Sequence, residues 1–202
     1  MGYTHQWRRQ ADIGRAAFSS ALEDVKLILA KASEMGLRLA GPTGHGKPEI
    51  TQQTIAFNGS AECGHRHRDL GKPWPSPEAE GVEAHEPYAP DDTPWYSGPY
   101  LKTRVCGGSC AGGAFVFDRR FIIRDWDRPE NDQYFAYCET DFKPYDLIVT
   151  AILIRLKEHL GDEIVIWSDG LEAGFEDAKR LCRQLFGWST KFALEQQGAE
   201  VI

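Results

Sequence analysis

The chain has 202 residues, 42% hydrophobic and 26% charged, with a formal net charge of −7. That length and balance support one buried core and exclude a disordered or fibrous chain. The acidic excess sets aside broad binding to a nucleic-acid backbone, which asks for a basic face; Arg66, Arg68 and Lys72 form only a local basic group flanked by Glu62 and Asp69.

Residues 3–7 read as a short strand, ending where basic residues follow. From Asp12 onward, Phe18, Leu22, Val25, Leu29 and Ala32 recur at three- and four-residue spacing, which places them on one face of a helix. Met35 extends that face and Gly36 supplies the stop. Residues 41–49 read as a loop, and residues 54–59 as a strand closed by an Asn58-Gly59 turn.

From about residue 60 to 113 prolines and glycines dominate and periodicity fades, over a length far beyond an ordinary connection. Two readings of this insert stand, a disordered tract or an irregular segment pinned by Trp74, Trp95, Tyr96 and Tyr100. The aromatics favour partial order, because disordered tracts are poor in them. Residues 114–117 then read as a strand with 121–126 as its hairpin partner, and residues 133–138 as a further strand. Leu147, Ala151, Ile154 and Leu156 mark a helix apolar enough to be covered on most sides, with Pro144 in its first turn and Gly161 ending it. Residues 163–168 form a buried-strand run, followed by an amphipathic helix marked by Phe175, Ala178, Cys182 and Leu185. Residues 189–202 carry little signal.

The fold class implied is one α/β domain over 1–202 with an α+β tendency, a mixed sheet and a C-terminal β-α-β-α block over 133–187. If both strands of that block lie in one sheet, the long crossover makes them parallel.

The chain also carries a misleading motif. Gly41-Pro42-Thr43-Gly44-His45-Gly46-Lys47 fits the phosphate-cradling GxxxxGK spacing. Pro48, however, replaces the magnesium-binding hydroxyl, and no helix follows to supply the amide array. A surface turn is expected.

Cys63, His65 and His67, with Cys106 and Cys110, offer five soft donors. Four of them could hold a structural zinc ion that clamps the irregular segment. The alternative is ordinary loop residues, since Cys-x-His and Cys-x3-Cys depart from finger spacing. Five cysteines, an odd and uneven set, suit reduced thiols in a cytoplasmic setting. No leader-like apolar stretch opens the chain, and the run at 148–154 is far short of the roughly 20 residues a membrane span needs.

If 133–138 and 163–168 run parallel, their ends bring Glu139, Lys143 and Asp169 to one sheet edge. That is where open α/β sheets bind ligands and where helix N-termini favour anions. Glu139 or Asp169 would act as base or metal ligand, with Lys143 compensating charge. The competing role for Asp141 and Asp169 is to cap the helices that follow.

Met1-Gly2-Tyr3-Thr4-His5 with Trp7, Phe57-Asn58-Gly59, Lys143-Pro144-Tyr145-Asp146 and Ser168-Asp169-Gly170 resemble, at separated points over much of the chain, a group of small uncharacterised proteins of bacteriophage and bacterial genomes. That group commonly has an aromatic residue where this chain has Gln6. The resemblance implies an accessory protein of the bacterial cytoplasm, and it nominates His5, Asn58, Lys143, Tyr145, Asp146, Ser168 and Asp169 as residues to consider together. Two functions follow. One is a small-molecule or nucleotide-binding protein, extending to a hydrolase of a phosphorylated substrate, that takes a small polar or anionic ligand at the strand ends. The other is a non-enzymatic inhibitor or regulator of a bacterial host enzyme, acting through the aromatic middle segment.

Overall fold

Alternation along the first strand sets the architecture. The computed structural model describes residues 2–63, 104, 106, 108–170, 172–187 and 192–194. In chain order its elements are β1 (Thr4–Gln10), α1 (Arg15–Glu34), β2 (Leu39–Ala40), β3 (Glu49–Ile50) and β4 (Thr54–Gly59). They continue with β5 (Phe115–Asp118), β6 (Gln133–Glu139), α2 (Asp146–Leu160), β7 (Ile164–Ser168) and α3 (Glu176–Phe186). His5, Trp7 and Arg9 of β1 are buried, while Thr4, Gln6 and Arg8 face outward. That period of two is what a strand with one covered face requires.

β1 runs past the expected end at Trp7 because Arg9 is itself a core residue. Its guanidinium lies over the Phe117 ring, 4.5 Å from the centroid, and donates to the carbonyls of Gln10, Asp118 and Arg119. Burial lowers its pKa to about 10, so it stays cationic at neutral pH. These bonds join β1 to the end of β5, linking two sheets.

The fold is mixed α+β. One sheet has the order β6-β1-β7; the other is built around β4, which pairs with β2, β3 and β5. All the ladders between described strands are antiparallel. The expected order strand, helix, strand, helix over 133–187 is present as β6, α2, β7 and α3, but β6 and β7 do not pair in parallel. β1 lies between them, antiparallel to both, so they run the same way without touching in register.

The hairpin partner of β5 is also corrected. Phe115–Asp118 pairs with β4, and residues 121–126 form no strand, leaving Ile122, Ile123 and Trp126 exposed. Asn58-Gly59 is no turn either. It closes β4 in register with Ala40 and Leu39.

α2 is covered on most sides, as its sequence implies: Leu147–Leu156 is buried without a break. Each fully buried Leu, Ile or Val there contributes about 1.5–3 kcal/mol. α1 and α3 pack against α2, which also lies on β7. Gly161, at φ 54° and ψ −121°, ends α2 in a conformation that side chains disfavour. The 41–47 segment turns through Gly41 N–H to His45 O and runs into β3 with no helix behind it. No helix of the described residues is long and apolar enough to cross a membrane. Trp74, Trp95, Tyr96, Tyr100, Arg66, Arg68 and Lys72 lie outside the described residues, as does most of 189–202.

The irregular residues 108–113 dock on β4 through Asn58. Its amide donates to Pro42 O at 3.1 Å and Gly112 O at 2.8 Å, and its carbonyl accepts from the N–H groups of Gly59 and Gly112. Replacing Asn58 with Ala strands several buried groups and should cost about 3 kcal/mol in denaturant unfolding. The same change at exposed Gln52 should stay within about 0.5 kcal/mol.

Candidate functional site

Because β6 and β7 flank β1, Glu139 lies opposite Thr4, while Cys138 and Ser168 lie opposite His5 on either side. His5 is fully buried. Its Nε2 is 2.7 Å from Asp146 Oδ1 at the first residue of α2, and its Nδ1 is 2.9 Å from Ser168 Oγ at the last residue of β7.

Asp146 is the hub. Its Oδ1 also accepts the Thr140 hydroxyl at 2.6 Å, and its Oδ2 accepts Arg104 Nε at 3.1 Å. Arg104 donates from Nη1 to Asp177 Oδ2 at 2.7 Å, and all three charged groups are buried. Burial alone would raise the Asp146 pKa; His5, Arg104 and Thr140 outweigh it and hold the carboxyl below 3.8, its ordinary value. Burial likewise opposes the charge of Arg104, and the two aspartates more than restore it.

An ionised carboxylate only accepts hydrogen bonds, so His5 Nε2 carries the proton toward Asp146. When the ring carries that proton alone, Nδ1 is an acceptor to which the Ser168 hydroxyl can donate. Ser168 Oγ also accepts Gly170 N–H at 3.2 Å. The result is a serine, histidine, aspartate relay whose serine end is half-exposed and whose other two members are sealed.

Tyr3 and Phe175 present ring edges to His5, with centroids 5.1 and 5.4 Å away. The Tyr3 hydroxyl is buried, with Ser168 as its nearest polar side-chain influence, and makes no hydrogen bond of ordinary geometry among the described residues. It rests on Gly170 and Gly174, where a Cβ would lie 1.6 and 2.4 Å from it. Burial, joined by Asp146, pushes its pKa up to about 12, which keeps it a donor. Beside it, Asp141 and Phe142 both adopt positive φ, 51° and 54°, at a cost of roughly 1–2 kcal/mol each. Bonds from Thr140 and Asp141 N–H to Tyr3 O, and stacking of Phe142 on Tyr3 at 3.7 Å, hold that turn.

Of the residues singled out from sequence, His5, Asp146 and Ser168 are brought into direct contact. Glu139 and Asp169 are exposed at the same edge. Asp169 Oδ2 accepts Thr4 N–H, and Glu139 packs on Gly2. Neither Asp141 nor Asp169 caps a helix: α2 and α3 begin after Tyr145 and Phe175 without a side-chain cap. Lys143 does not join Glu139 and Asp169, because its ammonium donates to the carbonyls of Cys106 at 2.8 Å and Ser109 at 3.0 Å. Tyr145 and Asn58 serve the same loop. Tyr145 is buried and donates to Gly113 O at 2.7 Å, with burial driving its pKa strongly up.

Arg104, Asp177 and Thr140 complete the network without being marked by the residue pattern. Asp177 falls just after Phe175 at the start of an amphipathic helix and reads as part of its polar face. Arg104, two residues before Cys106, is one arginine in a segment without periodicity.

Cys63, Cys106 and Cys110 are buried together. Cys106 Sγ is 3.5 Å from both Cys63 Sγ and Cys110 Sγ, and no disulfide forms. All three sulfurs lie within 4.8 Å of one another, close enough to hold a metal ion. Burial raises the Cys106 and Cys110 thiols. His65 and His67 lie outside the described residues. A separate cleft of about 670 Å³ opens between the end of α1, β2 and the 44–48 loop; its polar lining, including Arg38, His45 and Glu62, is exposed, and it contains none of the strand-end residues.

Comparison with protein-family models, with curated proteins and with solved structures finds no match to the chain.

Breaking the hub should be costly. Asp146→Asn should lower unfolding free energy by about 3–5 kcal/mol, the usual effect of uncoupling a buried ion pair, whereas Asp169→Asn should cost about 1 kcal/mol or less. Because the Asp146 pKa is depressed on folding, its contribution is complete above 3.8 and is lost as pH falls below that through the folded-state value. Acid unfolding followed by circular dichroism should therefore show a shallower pH dependence in Asp146→Asn than in the wild type.

Proposed function

We propose that the chain is a small-molecule hydrolase whose nucleophile is Ser168, with His5 as general base and Asp146 as the group that orients it. The observation that carries this reading is the unbroken run from Ser168 Oγ through both nitrogens of His5 to Asp146, 2.9 and 2.7 Å. A serine hydroxyl is a weak nucleophile until a positioned base can take its proton, and a base must be fixed by a third group to act in one tautomer. The roles of the two ring nitrogens are exchanged relative to the common serine-hydrolase arrangement; either nitrogen can accept a proton, so the chemistry is unchanged.

In this reading Ser168 Oγ attacks the substrate carbonyl carbon and its proton passes to Nδ1. Asp146 then stabilises the imidazolium formed, which returns the proton to the leaving oxygen. Water, deprotonated by the same nitrogen, next releases the acid from Ser168. The Tyr3 hydroxyl, a buried donor next to Ser168 with no hydrogen bond of ordinary geometry among the described residues, suits the developing oxyanion.

The sequence pointed toward a phosphorylated or otherwise anionic ligand. Glu139, Asp141 and Asp169 make this edge acidic; of the neighbouring cations, Arg104 is buried on Asp146 and Asp177, and Lys143 is held by the carbonyls of Cys106 and Ser109. A neutral or cationic ester is therefore the substrate class we favour. We read the ion suited to the three thiols as zinc, since thiolates select soft metals, and the setting as the bacterial cytoplasm, where such thiols stay reduced.

Exposed Ile122, Ile123, Trp126, Phe135 and Tyr137 favour a second reading, a surface that meets a host enzyme. That reading predicts partner binding lost in Trp126→Ala and kept in Ser168→Ala.

For the hydrolase, a fluorophosphonate probe should label Ser168, and short p-nitrophenyl esters should be cleaved. His5→Gln should lower the rate by about 10²–10⁴-fold under conditions where circular dichroism shows it folded, with a lowered melting temperature because His5 is a buried partner of Asp146. Ser168→Ala should remove labelling at a nearly unchanged one. Equal labelling of wild type and Ser168→Ala would remove the proposal.

A further inference from the structure

We propose that Cys63, Cys106 and Cys110 form a structural zinc site whose task is to hold Arg104 between Asp146 and Asp177. The inference rests on the zinc reading of the thiol cluster and is independent of the nucleophile assigned to Ser168.

Geometry is the first support. Zinc bound tetrahedrally at about 2.3 Å from each thiolate places the sulfurs about 3.8 Å apart. Cys106 Sγ lies 3.5 Å from each of the other two sulfurs. A disulfide needs about 2.05 Å and joins only two cysteines; here Cys106 is equally close to both, as around a shared centre. The sulfurs are sealed, with their residues at most 4% exposed. Zinc binding displaces three thiol protons and, with a neutral donor or water completing the tetrahedron, leaves a cluster of net charge −1.

The surroundings provide the second support. Lys143 places its ammonium on the carbonyls of Cys106 and Ser109, a fixed positive charge beside a cluster that would be anionic. Outer hydrogen bonds of this kind orient the ligands of a metal site. Cys110 N–H bonds to Ser60 O, and the Cys110 carbonyl crowds Gly59 so closely that a Cβ there would be 1.9 Å away.

The third support is connectivity. Only one residue separates Arg104 from Cys106, and Arg104 is buried on two aspartates from α2 and α3. A long cationic side chain loses up to about 2 kcal/mol of rotamer freedom on such burial, besides the desolvation of its charge. Anchoring its neighbour to a metal offsets that loss, because the backbone is already fixed when the guanidinium docks.

The test uses the full chain. Metal analysis of the purified protein should find one zinc per chain. Cys106→Ser should reduce zinc affinity by more than the roughly 10–100-fold typical of an outer-shell change, and Cys182→Ser, outside the cluster, should leave zinc bound. Phenylglyoxal labelling read by mass spectrometry reports Arg104 directly: protected with zinc, modified at least tenfold faster after chelation. The chelation arm uses wild-type protein, so it decides even if Cys106→Ser does not fold. Zinc-free protein that takes up no zinc, or iron or copper in its place, overturns the assignment. Zinc binding with equal Arg104 labelling before and after chelation overturns the coupling. Neither readout depends on ester hydrolysis, so an inactive protein with one protected zinc site would overturn the nucleophile and leave this inference standing.

Discussion

A buried negative charge is the constraint on which this structure turns. Asp146 sits at the start of a helix whose next ten residues are buried, and a lone carboxylate there would be neutralised or expelled. It survives because three donors reach it, two of them from distant parts of the chain: His5 from β1, Arg104 from the irregular segment, and Thr140 from just after β6. Each is useful only if its own element is in place. Docking of the sheet, of α2 and of the loop is thereby coupled through one group.

That coupling also sorts the polar residues into two sets. His5, Asp146 and Ser168 face one another and leave a hydroxyl at the sheet edge. Asn58, Lys143 and Tyr145 instead hold Cys106 and residues 108–113 against β4 and the start of α2. Through Lys143 on the Cys106 carbonyl, the second set reaches to within two residues of Arg104. Two consecutive residues at positive φ, Asp141 and Phe142, lie between the sets. Strain of this kind persists where the surroundings over-determine it, often beside a functional group.

Much of this was legible in the residue pattern, for physical reasons. Periodicity located α1, α2 and α3, because one face of each must be apolar. The Gly161 stop and the buried run of β7 were equally plain. The role of β1 was not, since its inward residues include His5 and Arg9, which read as polar until a carboxylate and a set of carbonyls are found to receive them. β6 and β7 do run the same way in one sheet, but the strand inserted between them, β1, comes from the opposite end of the chain, a separation that local pattern does not carry. A charge at a strand end suggests a ligand, but the Lys143 ammonium is taken by the carbonyls of Cys106 and Ser109, partners that its own sequence neighbours do not reveal. The thiols were recognised as a group; what their spacing could not convey is that Arg104, two residues away, connects them to Asp146.

The central claim is that Asp146 fixes His5 in the tautomer that lets Ser168 donate its proton. Nitrogen-15 NMR of the imidazole tests it most directly. The account predicts at neutral pH a ring protonated at Nε2, with Nδ1 showing the shift of a hydrogen-bonded acceptor that moves in Ser168→Ala. A proton resident on Nδ1 would contradict it, because His5 would then donate to Ser168 and could not serve as its base.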